Sequence, residues 1–336
     1  MHLTDAQSVV DRLIALQRAV RQVVIRSHGG SGHEVTRSTA ADTIYAIDAD
    51  VEPIIEDFCR EWSKTTPLLL VAEGIENEEY GGVEGVKVFP EGTSEDDAKI
   101  RLIIDPIDGT RGIMYDKRPA WSLAGVAPNK GKNTRLRDIE VAVMTELPTS
   151  KMGFADVLWA VKGSGAKARR VDLRNNAEEP LAVSPSGARK IDHGFATIAD
   201  FFPGTKVLAG EIMEHLVKNL VGALDVTRAT VFEDQYISTG GQFYELIVGH
   251  DRFVADLRPL LYKIQKQPEG LCCHPYDCAS MLIAQEAGVI LTDGLGKSLD
   301  GPFDVTSGIS WAGYANPDLQ LAIEPLLTAY LRELGA

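Results

Sequence analysis

Val9, Val10, Leu13, Ile14, Leu16, Val20, Val23 and Val24 recur at helical spacing, which predicts an amphipathic helix with Thr4 or Asp5 as its N-cap. The glycine-rich stretch Ser27–His33 ends it. A second helical pattern runs through Tyr45, Ile47, Val51, Ile54, Ile55, Phe58 and Trp62, and Pro67 closes the connection that follows. Leu68–Ala72 is a short continuous apolar run, read as a buried strand that leads into Glu73. From Gly74 to Asp97 the chain is acidic and punctuated by glycine, read as a long loop with one strand at Val86–Phe89. Ile100–Ile104, Trp121–Ala127, Glu140–Thr145 and Asp156–Val161 read as further strands, the last running into a Gly-Ser-Gly turn. Strands that follow one another without regular helical crossovers predict an antiparallel sheet in an α+β arrangement.

The pattern changes beyond the polar stretch Asp172–Ser186. Ala196–Ala199 and Leu224–Arg228 are strand candidates on either side of a helical stretch, Glu211–Val221. Phe243–Val248 and Phe253–Asp256 read as a hairpin. Asp277–Ala287 reads as a helix with Asp277 at the N-cap and Gly288 as a left-handed cap. A strand at Val289–Thr292, a turn at Asp293-Gly294 and a helix from Asp318 complete the pattern. The boundary falls at residues 180–186, giving an α+β unit over 1–183 and an α/β unit over 184–336.

Composition narrows the function. With 336 residues and 44% hydrophobic content the chain supports a folded core. Its 34 Lys+Arg against 48 Asp+Glu leave a net charge of −14, which repels polyanions. Nucleic acid polymers and anionic membranes are therefore poor partners, and a small phosphate ester fits only where cations invert the local field. Three of the four cysteines cluster at Cys272, Cys273 and Cys278, a pattern of reducing compartments rather than of a disulfide framework. Asp5, Asp11 and Arg12 interrupt the N-terminal apolar pattern, and no apolar run approaches the ~18 residues of a span. The expectation is a cytoplasmic protein without signal peptide or membrane anchor.

The chemistry concentrates in Ile103-Ile104-Asp105-Pro106-Ile107-Asp108-Gly109-Thr110. A strand delivers Asp105 at its carboxyl end, and Pro106 keeps Asp105 extended. Two carboxylates three positions apart across a stiffened turn can converge on one point, together with the Ile107 carbonyl. All-oxygen, anionic donors suit Mg²⁺ better than zinc. Gly109 permits close backbone approach, and Thr110 offers a hydroxyl and an N–H at a helix start, where anions bind. A cation site beside an anion site is what metal-assisted phosphoryl chemistry needs. The same hexapeptide also reads as a turn that uses Asp, Pro and Gly for their dihedrals. Glu73 ends its strand as Asp105 does, which places it at the same sheet edge. Asp277, taken singly, reads as an ordinary helix cap.

Glu73 after Leu68–Ala72, the Asp105–Thr110 hexapeptide, and Tyr276-Asp277-Cys278-Ala279-Ser280 leading into Glu286-Ala287-Gly288 together resemble the inositol monophosphatase family. That family shares a superfamily with fructose-1,6-bisphosphatases and 3′-phosphoadenosine phosphate phosphatases. The resemblance extends to Asp42–Asp48, Gly163–Ala166, Gly240-Gly241 and Trp311–Pro317, and Gly249–Pro259 looks like the archaeal-type branch. It implies a layered α-β-α-β-α sandwich, dimeric and lithium-sensitive, acting on a small phosphorylated substrate. Glu73, Asp105 and the Ile107 carbonyl would hold one Mg²⁺, and Asp105, Asp108 and Asp277 a second. Asp48 and Thr110 would orient the attacking water, with Glu73 beside them, and the Gly109 and Thr110 amides would grip the phosphate. The 1–183 unit would thus carry most ligands, and the 184–336 unit would add Asp277 and the leaving-group pocket.

The chain departs from the family in places. Gly74 stands where a second acid is common, which weakens the case for a third ion. Arg111-Gly112 replaces small or polar residues, and Arg111 either forks onto substrate phosphate or pairs with the acidic loop Glu91–Asp97. Tyr276 replaces a common Trp, and the segment from Arg258 to Asp277 is long. Glu245 is either a substrate-contacting acid or part of a strand. Cys272-Cys273-His274 and Cys278 lack zinc spacing and read as buried packing, and His28 and His33 as solvated loop residues. No Cys, His or Ser has the setting of an activated nucleophile. The sequence thus points to a Mg²⁺-dependent phosphomonoesterase for a small polyol or sugar phosphate. Its rivals are a fructose-1,6-bisphosphatase or 3′-nucleotide phosphatase on the same site and a non-catalytic phosphosugar-binding regulator.

Overall fold

The computed structural model describes residues 5–27, 35–38, 43–75, 85–222 and 227–336. Helix α1 (Ala6–Ser27) starts where Asp5 Oδ1 accepts the Ser8 amide at 3.0 Å, which makes Asp5, one of the two caps expected, the one seen; Thr4 lies outside the described residues. His28 and His33, with most of the glycine-rich break, lie outside the described residues. A two-stranded ribbon of β1 (Val35–Ser38) and β2 (Thr43–Tyr45) leads into α2 (Ala46–Ser63).

The first large sheet is built from β3 (Leu68–Ala72), β4 (Val86–Phe89), β5 (Ile100–Asp108), β6 (Ala120–Pro128), β7 (Val141–Leu147), β8 (Phe154–Val161), β9 (Ala166–Asp172) and β10 (Glu178–Leu181). A short helix, α3 (Thr110–Met114), joins β5 to β6. Strand order is β10-β9-β8-β7-β6-β5-β3-β4, antiparallel throughout except for the parallel pair β3–β5. β9 and β10 were not legible as strands: Lys167, Arg169, Arg170, Glu178 and Glu179 give them a polar surface typical of a sheet edge.

Every residue of β3, β5, β6 and β7 is buried. Alternation explains how. Leu68, Leu70, Leu102, Ile104, Val126 and Val143 pack with α1 and α2 on one face. Leu69, Val71, Ile103, Leu123 and Met144 join the core formed with the second half of the chain on the other.

That second half carries β11 (Gly194–Ile198), α4 (Lys206–Val221), β12 (Val231–Phe232), α5 (Thr239–Ile247), β13 (Asp251–Asp256), α6 (Arg258–Ile264), α7 (Met281–Ala287), β14 (Ile290–Thr292), β15 (Trp311–Tyr314) and α8 (Pro317–Glu333). Its sheet runs β12-β11-β13-β15-β14, with β11 parallel to β12 and β13, and β15 antiparallel to its neighbours. α5 touches β6 and β13, and α7 touches β7 and β14, so both helices lie between the sheets. α4 and α8 pack together outside the second sheet. The order of layers is therefore α-β-α-β-α, the mixed α+β and α/β architecture expected.

Two readings are corrected. Phe243–Val248 is not a strand of a hairpin but part of α5: Ser238 Oγ accepts the Gly241 amide at 2.9 Å as its cap, and Phe243, Leu246 and Ile247 form one buried stripe. A six-residue run that is apolar except for Glu245 carries too little period to separate helix from strand. α7 begins at Met281, not at Asp277, and Ser280 occupies its N-cap position. The strand candidate Leu224–Arg228 lies mostly outside the described residues, and the strand in this region is Val231–Phe232.

Glu146 of β7 is buried, and its Oε2 accepts the Asp156 amide at 2.9 Å. Burial pushes its carboxyl up to about 8. The folded state therefore keeps a proton that the unfolded chain has released, and stability falls as pH rises from the ordinary glutamate range to about 8. Glu146→Gln keeps the acceptor and removes the ionisation. It should flatten that slope and exceed wild type by a few kcal/mol, about, at pH 8.5 in urea denaturation. Parallel pH profiles for the two proteins would refute this origin of the slope.

Candidate active site

The parallel pairing of β3 with β5 sets the site. Ala72 is in register with Ile104, so Glu73 and Asp105 leave adjacent strands at the same carboxyl edge. Against β6, Asp105 pairs with Leu123 and Asp108 with Trp121, a register shift that takes up one extra residue on β5. In a regular strand, residues three apart point to opposite faces; the bulge re-aims Asp105 and Asp108 toward one point. Asp105 Oδ1 accepts the Ile107 amide at 3.0 Å, which holds the turn.

Asp108 is held by the start of α5. Ser238 Oγ donates to its Oδ2 at 2.8 Å, the Gly240 amide at 2.5 Å, and the Thr239 amide to Oδ1 at 3.3 Å. Gly240 is required for this approach: a Cβ there would stand 2.5 Å from Leu123 Cδ2 and 3.0 Å from Asp108 Oδ2. Asp277 arrives from the turns before α7, with Oδ2 accepting the His274 amide at 2.5 Å. Carboxylate oxygens of Asp105, Asp108 and Asp277 all lie within 4.8 Å of one another.

Thr110 Oγ1 sits 2.7 Å from the Ile107 carbonyl and 3.1 Å from Asp48 Oδ1, and its single hydrogen serves one of them at a time. Asp48 belongs to the first turn of α2, so this contact brings the outer helical layer to the sheet edge. Gly109 adopts φ 97°, the left-handed conformation that starts α3, and its carbonyl accepts the Gly112 amide at 2.8 Å. The first amides of that turn have no partner within the helix.

Every predicted site residue except Glu245 lines one cavity. Glu245 lies on α5 with its carboxylate against the His250 ring, and it is not part of the cavity wall. Arg111 turns its guanidinium over the Phe202 ring, 5.3 Å from the centroid. Sequence reasoning missed Ser238, Arg258, Phe201 and Phe202. The Ser-Thr-Gly-Gly run at 238–241 carried a cap signal; the Phe pair carried none. Cys272, Cys273 and Cys278 are buried free thiols, with Cys272 in the cavity wall and Cys273 Sγ 3.5 Å from Cys278 Sγ.

The electrostatics show which ligand the group suits. Burial, followed by the charges of Glu73, Asp108 and Asp277, holds the Asp105 carboxyl well above its ordinary range. Burial and Asp277 push Asp108 up to about 8, although the Gly240, Ser238 and Thr239 donors pull the other way. The cluster offers only oxygen donors and gathers like charges, the demand of a hard divalent cation. It is the one such cluster among the described residues.

The fold is that of the inositol monophosphatase and fructose-1,6-bisphosphatase structures. The chain is similar to the extragenic suppressor protein SuhB of Bartonella henselae, with 17% identity, a TM-score of 0.62, and coverage of 96% of this chain and 98% of that one. It is similar to the inositol monophosphatase of Thermotoga maritima, with 17% identity, a TM-score of 0.62, and coverage of 98% and 100%. With the fructose-1,6-bisphosphatase of Leishmania major the identity is 12% and the TM-score 0.67, over 99% of this chain and 95% of that one. No protein-family model matches the sequence, and no curated protein matches it.

Proposed function

We propose that the chain is an inositol monophosphatase-like, Mg²⁺-dependent phosphomonoesterase acting on a small polyol or sugar phosphate. The observation that carries the reading is the meeting of Asp105, Asp108 and Asp277, remote in sequence, within 4.8 Å. Glu73 and the Asp48–Thr110 pair in the same cavity support it. Glu73, Asp105 and the Ile107 carbonyl would hold one cation, and Asp105, Asp108 and Asp277 a second. Divalent cations held there would neutralise phosphoryl oxygens and supply hydroxide at neutral pH. Four carboxylates against two such ions sum to zero, so the ligand set itself would no longer repel a dianionic phosphate. The remaining work falls to the chain. Thr110 Oγ1 positions the attacking water and passes its proton toward Asp48 Oδ1, and the Gly109 and Thr110 amides orient the phosphate. A dimer, lithium sensitivity and a cytoplasmic location belong to the same reading, as do an N-terminal unit with most ligands and a C-terminal unit with Asp277.

A phosphate-release screen over inositol, fructose, histidinol and adenosine phosphates, with and without Mg²⁺, tests the proposal. Turnover that depends on Mg²⁺ is expected. Tight binding of an ester without turnover would replace the enzyme with a phosphosugar-binding regulator. A fructose-1,6-bisphosphatase is the second reading, favoured by the Arg111 and Arg258 side chains in the cavity wall.

Cation binding should also release protons. Without a cation Asp108 keeps its proton up to about 8, so the apparent Mg²⁺ affinity should climb with pH toward that value. Calorimetric titrations in buffers of different ionisation enthalpy measure the protons released. Zero release at pH 7 would show that these carboxylates do not bind the ion.

A further inference from the structure

The second half of α1 carries a buried charge that the fold does not answer. Gln17 pins the helix to the first sheet: its Nε2 donates to the Val143 carbonyl at 2.9 Å, and its Oε1 accepts from Thr145 Oγ1 at 2.8 Å. Arg21 stands one turn further along the same helix face and is only 2% exposed. Its Nε and Nη1 are shut off from solvent and have no hydrogen-bond partner. Burial, then the charges of Arg18 and Arg169, pull the Arg21 pKa below its ordinary range, yet an arginine stays charged at any physiological pH.

The acids that bear on Arg21 are Glu146 and Glu178, and neither is free to neutralise it. Glu146 keeps its proton up to about 8. Glu178 is already divided: Oε1 accepts from Arg18 Nη2 at 3.0 Å, and Oε2 meets Arg169 Nη1 at 2.8 Å. Arg169 Nε is a further buried donor without a partner. Three guanidinium groups therefore share one ionised carboxylate, in a chain whose net charge is −14. A guanidinium out of water without acceptors or a counter-charge is costly to the folded state. Water would satisfy the N–H groups but bring no charge. An oxyanion brings both, and the planar fork of an arginine matches its paired oxygens. Access exists, because Arg169 and Glu178 line an open groove of about 590 Å³ with Trp159 and Lys167, and Arg18 is exposed. None of these residues lines the carboxylate cavity.

We propose that Arg18, Arg21 and Arg169 form a second binding site, for a small oxyanion of the phosphate or carboxylate class, between α1 and the β9–β10 edge of the first sheet. The site is separate from the carboxylate cavity and does not depend on the activity proposed for it.

The test uses the full-length protein in chelator, so that no cation draws anions to the carboxylate cavity. Inorganic phosphate and malonate are titrated in turn, with sodium chloride of equal ionic strength as the control, and followed by calorimetric melting and isothermal titration. At least one of the two should bind with a stoichiometry of one. It should raise the melting temperature by a few degrees at about a hundred times its dissociation constant, and chloride should not. Arg21→Met removes the buried charge and should abolish that binding. Arg18→Gln alters an exposed position, where folding is safe, and should weaken binding about tenfold, the size of one charge-assisted hydrogen bond. A response to phosphate alone assigns the site to phosphates, and a response to malonate alone assigns it to carboxylates. Neither anion exceeding chloride overturns the inference. So does binding unchanged in Arg21→Met or, should that variant not fold, in Arg18→Gln. Turnover is not read in this experiment, so its failure leaves the phosphomonoesterase reading standing.

Discussion

Asp105→Asn is expected to abolish phosphate release, by on the order of 10³-fold or more, while raising the melting temperature of the metal-free protein. The two effects have one cause. Asp105 is buried, and the charges of Glu73, Asp108 and Asp277 bear on it. Without a cation, that gathering of acids costs the folded state free energy, and an amide removes one member of it. The fold need not rearrange, because Asn can still accept the Ile107 amide that Asp105 Oδ1 accepts at 3.0 Å. The same change strips a ligand shared by both proposed cation positions. Calorimetry in chelator, with and without added Mg²⁺, should show a higher metal-free transition and a much smaller shift on adding the ion. An active Asn variant would remove Asp105 from the chemistry. A lower metal-free transition would show that like-charge repulsion does not dominate there.

The largest loss of stability is expected from Arg258→Ala. Asp256 is fully buried, and Arg258 holds it through Nε at 2.8 Å and Nη2 at 2.5 Å. Removing the guanidinium leaves a carboxylate without its counter-charge in the core, which costs about 3–5 kcal/mol. It also takes away the support beneath Phe201 and Phe202. Replacing both partners, Asp256→Asn with Arg258→Met, should cost less than the single Arg258→Ala change, because no unpaired charge remains. Denaturant unfolding of the single and double variants decides the point. A double variant as unstable as the single one would assign the loss to packing and not to charge.

The success and failure of sequence reading in this chain have local physical reasons. Long periodic patterns such as α1 and α2, and continuous apolar runs such as Leu68–Ala72, place themselves because a buried face leaves a regular trace. Phe243–Val248 misled because an apolar run of that length fits either period, and only the Ser238 cap and the two flanking sheets make it a helix. β9 and β10 were invisible because a sheet edge tolerates charge. Arg111 was half read: its proximity to Thr110 follows from the chain, but its resting place over Phe202 depends on a loop far away.

The amino-acid order alone determined the acid-rich turn at Asp105–Thr110, the strand that delivers Glu73, and the hard, oxygen-only character of the donors, because those are properties of neighbouring residues. What only the tertiary structure decided is that Asp277 and Asp48 join them, that Ser238 and Gly240 hold Asp108, and that two arginines line the same cavity. The hydrogen bonds among them span from 62 to 132 positions along the chain, and their geometry comes from sheet register, a bulge and helix packing, which no local pattern records.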